Sequence, residues 1–96
     1  MTSINNDTIY KIMSHKIEKI ISLMKTSPKN IKFSDLLAVC RHFFGEPRNN
    51  GSSHFVFKTP WFGDPRVNIQ KSSGNKAKAY QVKQILQAIE RIKNEQ

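Results

Sequence analysis

One short stretch gathers residue types able to do chemistry: the hydroxyls of Ser52 and Ser53, the imidazole of His54 and the ammonium of Lys58, within Asn49-Asn50-Gly51-Ser52-Ser53-His54-Phe55-Val56-Phe57-Lys58. Histidine has an unperturbed pKa of about 6.5, so one side chain can both take and give a proton near neutral pH. Positioned proton transfer of this kind is typically worth ~10²–10⁴-fold in rate. Asn-Asn-Gly signals a tight turn, and the residues after it alternate as a strand does. Successive strand side chains face opposite sides, so Phe55 and Phe57 claim the buried face while Ser52, His54, Val56 and Lys58 take the other. The pattern therefore predicts an exposed histidine beside hydroxyls and a cation.

The remaining candidates read as structural. Cys40 is the single cysteine, which excludes an internal disulfide, and it falls in the apolar helical pattern Leu36, Leu37, Cys40, Phe43, Phe44 as a core thiol. His42 lies near a helix end, where a cationic imidazole favours the macrodipole, and His15 lies off the apolar stripe of an N-terminal helix. There is no His/Cys cluster at zinc spacing and no Gly-rich phosphate loop followed by Lys-Ser/Thr, and the carboxylates are scattered. No metal or cofactor is expected.

The elements that must position His54 belong to a chain of 96 residues, which has room for one domain and excludes a second. Such a domain buries roughly 60–65% of the unfolded chain's surface. Sixteen Lys and Arg against seven Asp and Glu give a formal charge of +9, which favours a polyanionic partner, nucleic acid before a membrane surface. No stretch approaches the roughly 20 apolar residues of a membrane span, and the start Met1-Thr2-Ser3-Ile4-Asn5-Asn6 lacks the order of a secretory signal. A cytoplasmic chain without membrane contact is expected.

Apolar residues at Ile9, Ile12, Met13, Ile17, Ile20, Ile21 and Met24 predict an amphipathic helix from Asp7, its N-cap, to about Thr26. Ser27-Pro28-Lys29-Asn30 breaks it. A second helix starts at Ser34 as N-cap and stops at Gly45. Glu46–Arg48, Ser52–Lys58 and Arg66–Gln70 then predict a three-stranded antiparallel meander, with Pro60-Trp61-Phe62-Gly63-Asp64-Pro65 as its second turn. Trp61 and Phe62 could lid the core, stack on a base or meet a partner. Lys71–Lys78 reads as a cationic loop, and Val82, Ile85, Leu86, Ile89 and Ile92 stripe a final helix from about Ala79. The expected class is α+β: a three-stranded antiparallel sheet with helices on one face, plus an extra N-terminal helix. The open face should carry His54, Asn68 and Gln70, with Lys58 close by.

Three segments, Phe33-Ser34-Asp35-Leu36-Leu37, Asn50 to Phe57, and Tyr80-Gln81-Val82-Lys83-Gln84-Ile85-Leu86, occur in the order and spacing that resembles the HicA-type mRNA interferase toxins of type II toxin–antitoxin systems. The resemblance covers about Ile31 to Ile92. It implies a double-stranded-RNA-binding-domain-like α-β-β-β-α unit over 31–96, preceded by a helical extension over 1–30. It further implies an endoribonuclease acting on mRNA, a HicB-like antitoxin as partner, and a catalytic role for His54. The proline and second histidine common after the third strand of that family are absent from Asn68-Ile69-Gln70-Lys71-Ser72-Ser73.

In such a reaction the 2′-hydroxyl attacks the adjacent phosphate, His54 serves as general acid or base, and a cation steadies the phosphorane charge. Lys58 is the first candidate for that cation, four residues and roughly 13 Å along the strand at ~3.3 Å per residue. Ser52 and Ser53 are candidates for phosphate hydrogen bonds. Eight cationic residues against two acidic ones between Arg41 and Lys83 suggest a backbone-tracking surface that includes Lys71, Lys76 and Lys78. The alternative is a non-catalytic RNA- or DNA-binding module using the same basic sheet face, with His54 as an ordinary exposed strand histidine.

Overall fold

Ile17, Ile20, Ile21 and Met24 recur at the three-and-four spacing that puts them on one helix face, and all four are buried. The computed structural model describes residues 6–49, 54–61 and 66–94. In it helix α1 spans Asn6–Thr26, and a single 3₁₀ turn over Pro28–Asn30 follows. Helix α2 spans Phe33–Phe44, two residues earlier than Ser34 as N-cap would set it. Lys32 holds the cap position with extended backbone and no side-chain cap, and its carbonyl accepts from the amides of Asp35 and Leu36 at 3.1 Å each. Burial of Ile31 and Phe33 decides this start: both side chains anchor in the core, and that outweighs a local hydroxyl cap. Gly45 ends α2 with φ 85° and ψ −159°, its amide donating to the Arg41 carbonyl at 3.1 Å.

The sheet corrects the sequence expectation. Among the described residues it has two strands, β1 (His54–Lys58) and β2 (Arg66–Gln70), antiparallel, and they do not form the three-stranded meander. The expected first strand contributes one isolated bridge, in which Arg48 and Val56 exchange backbone hydrogen bonds of 2.8 and 3.1 Å. Only three residues separate Gly45 from the Asn49-Asn50-Gly51 turn signal, and Asn49 beyond them bonds to β1 through its side chain. Glu46 pairs with Arg41 of α2 at 3.5 Å, and the Asn49 side-chain amide donates to the His54 carbonyl at 2.8 Å, where a further strand would have placed a backbone N–H.

Helix α3 spans Ala79–Asn94, starting where expected. The stretch before it is more ordered than a loop: Ser73–Asn75 forms a 3₁₀ turn, with bridges Lys71↔Ala77 and Lys32↔Lys76 on either side. Gly74 and Asn75 both have positive φ, 71° and 62°, a pair of left-handed residues typical of tight reversals. Gln81 of α3 is 5% exposed and closes the outer edge of β2, its Oε1 accepting from the Gln70 amide at 2.8 Å.

Phe57 and Ile69 point from the sheet into a core shared by Leu36, Val39 and Cys40 of α2 and Val82, Ile85 and Ile89 of α3. The buried stripe of α1 belongs to the same cluster, so the N-terminal helix thickens the core. No helix among the described residues is long and apolar enough to cross a membrane.

Candidate nucleic-acid interface

Register decides what stands beside His54. The strands pair His54 with Gln70, Val56 with Asn68 and Lys58 with Arg66, and directly opposed residues share a face. His54, Lys58, Arg66 and Asn68 are exposed there, opposite the face that buries Phe57 and Ile69. The Gln70 amide turns outward to Gln81 and Val56 turns outward to Arg48, so His54 and Gln70 form a non-hydrogen-bonded pair. Such pairs bring Cα atoms to roughly 4.5 Å, the closer of the two antiparallel spacings. Lys78 donates through Nζ to Gln70 Oε1 at 2.9 Å. An ammonium is thereby tied to the side chain that faces the histidine across the ladder.

Lys58 stands at the other end of the strand. With Arg48 and Arg66 it borders a shallow hollow of about 420 Å³ floored by Val56 and rimmed by Glu46. That corner is cationic and stands at the end of the strand away from the imidazole. Ser52 and Ser53 lie outside the described residues. Lys71 and Lys76 line a groove on the opposite, helix-covered side, together with Phe55. The open face therefore unites His54, Gln70, Lys78, Asn68, Lys58 and Arg66, and leaves Lys71 and Lys76 on the other.

The other candidates sit as structural residues do. Burial pushes the Cys40 thiol from 9.0 up to about 12, which leaves negligible thiolate at neutral pH. His42 is exposed in the last turn of α2, edge-on to the Phe43 ring at 5.0 Å, and His15 is exposed on α1. Trp61 is half-buried beneath the Arg91 guanidinium of α3, 4.3 Å from ring centroid to Cζ. Its Nε1 is buried without a hydrogen-bond partner among the described residues.

Comparison with protein-family models, curated proteins and solved structures finds no match to this chain. The likeness to HicA-type toxins accordingly rests on the short segments named above, and the described residues form a two-stranded sheet in place of the three-stranded unit it implied. What the site offers has to be argued from its own geometry. An exposed imidazole, a side-chain amide opposite it and a tethered ammonium can together move a proton and receive an anion. Sequence reading alone did not find the tie between Lys78 and Gln70, because it depends on a register and on a reversal eight residues long. It also passed over Lys32, which approaches Lys76 only through the folded bridge between them.

Proposed function

We propose that this chain is the toxin of a type II toxin–antitoxin pair, a metal-independent endoribonuclease that cleaves mRNA in the cytoplasm with His54 as general acid–base. One observation carries the reading: His54 is exposed on a cationic sheet face, directly opposite a glutamine that holds the Lys78 ammonium. His54 takes the proton of a 2′-hydroxyl; the O2′–phosphorus bond forms and the phosphorus–O5′ bond breaks. The departing O5′ takes a proton from water or from the imidazolium just made, leaving a 2′,3′-cyclic phosphate and a 5′-hydroxyl. Lys78, bonded to Gln70, supplies the cation for the charge that builds on the phosphorane oxygens in this reading. A HicB-like antitoxin would inhibit by covering His54, and the basic surface around it calls for acidic groups on that partner.

The test incubates the protein and its His54→Ala variant with single-stranded and structured RNA in excess chelator, then resolves the product ends. Cleavage by the parent alone, leaving cyclic phosphate, is expected. Intact RNA with both proteins, accompanied by a gel shift, would make the chain a non-catalytic RNA-binding module. Equal cleavage by both would move the chemistry to another residue.

A further inference from the structure

Three lysines from three separate stretches converge on the helix-covered side of the sheet: Lys32 before α2, Lys71 after β2 and Lys76 after the 3₁₀ turn. They line a groove of about 880 Å³, inside the roughly 300–1,000 Å³ range of clefts that hold small ligands. Backbone pairing fixes their approach. Lys32 bridges to Lys76, the Ala77 amide donates to the Ile31 carbonyl at 2.9 Å, and the Ser72 amide donates to the Lys76 carbonyl at 2.8 Å. Among the described residues that line the groove none is acidic; Asp35, in the first turn of α2, stands outside it. Like charges gathered in a concave site focus a positive potential, and an anion is the occupant that relieves it.

The groove also has an aromatic wall. The Phe33 and Phe55 rings lie 5.4 Å apart at 52°, and Lys71 Nζ sits 5.9 Å from the Phe33 centroid. Phe33 is buried, whereas Phe55 is only half-buried and presents ring surface to the cleft. Cations beside an available ring suit a phosphate joined to a base, since every base has a face that stacks. Phe55 directly follows His54, and Lys71 directly follows Gln70, the residue opposite His54. Groove and histidine therefore occupy the same end of the sheet, on opposite faces.

We infer that this groove holds an unpaired nucleotide of single-stranded RNA next to the phosphate presented to His54, the strand bending over the sheet end between them. This rests on the reading of the chain as an RNA-cleaving protein, but its test uses binding alone. A short fluorescent 2′-O-methyl RNA, which lacks the attacking hydroxyl, is titrated against the parent, a Lys32→Gln/Lys71→Gln/Lys76→Gln variant, and a Lys16→Gln/Lys19→Gln/Lys93→Gln control that removes the same charge from exposed positions on α1 and α3. The groove variant should bind at least about 10-fold more weakly, with a salt slope lower by about 2, as three lost single-strand contacts at ~0.7 each require. The control should stay within about 3-fold of the parent. Equal losses in the two variants, or a duplex of the same RNA bound as tightly by the parent, would overturn the assignment. On the unmutated protein, a 5-bromouridine in the same RNA should photocrosslink to Phe33 or Phe55, located to the residue by fragmenting the crosslinked peptides; crosslinks confined to Val56 and Asn68 would place the base on the open face and end the proposal.

Discussion

At the residue scale, His54 is defined by what faces it. Alternation along one strand made its exposure legible, because that rule needs no partner strand. The identity of its neighbour was not legible, since a one-residue slip in register would have opposed it with a different side chain. The observed register sets Gln70 opposite His54, with Lys78 bonded to Gln70, while Lys58 joins Arg48 and Arg66 at the far corner. The two lysines should then separate kinetically. Lys78→Ala should lower the single-turnover cleavage rate at saturating RNA, by about 10²-fold if it is the cation of the transition state. Lys58→Ala should leave that rate within a few-fold and instead weaken RNA binding, reducing the salt slope by ~0.7. Single-turnover rates over a range of protein concentrations read both effects, and a rate loss in Lys58→Ala matching that of Lys78→Ala would reverse the assignment.

At the element scale, the helices were readable nearly to the residue and the sheet was not. A helix satisfies its own backbone and declares its buried face by spacing, so Asp7–Thr26, Ser34–Phe44 and the helix from Ala79 emerged with only small shifts at their starts. A strand depends on a neighbour's hydrogen bonds, and the three residues after Gly45 secure one bridge before Asn49 bonds to His54 through its side chain. Gly45 makes that departure. Its φ of 85° with ψ of −159° lies in a region open essentially to glycine alone, although a Cβ there would meet nothing within 4 Å. Gly45→Ala should therefore destabilise by about 1–3 kcal/mol through backbone strain alone. Thermal denaturation would register this as a loss of roughly 4–8 °C per kcal/mol. An unchanged midpoint would mean that the chain leaves α2 by another route.

At the scale of the whole molecule, α1 is part of the fold's only large core cluster among the described residues. Met24 is 0% exposed and packs with Ile17, Ile20 and Ile21 into the assembly of α2, α3 and the sheet. Met24→Ala should cost about 2–5 kcal/mol, measured by urea denaturation with the slope unchanged. A loss under about 1 kcal/mol would instead describe a helix that rests on the domain without completing it. The charge is distributed on the same scale: basic side chains line the open face, its far corner and the groove behind, while the Lys25–Glu90 ion pair lies elsewhere and the Arg41–Glu46 pair borders the far corner.

By itself the sequence determined the helices, the outward aim of His54, the burial of Phe57 and Cys40, and the cationic balance, because each follows from local periodicity or from a count. Tertiary structure alone decided that the sheet has two strands, that Gln70 and Lys78 are the histidine's company, that Lys32 meets Lys71 and Lys76, and that α1 joins the core. Those outcomes depend on contacts between residues far apart in the chain, where burial of apolar faces and the closing of backbone hydrogen bonds outweigh what any segment prefers alone.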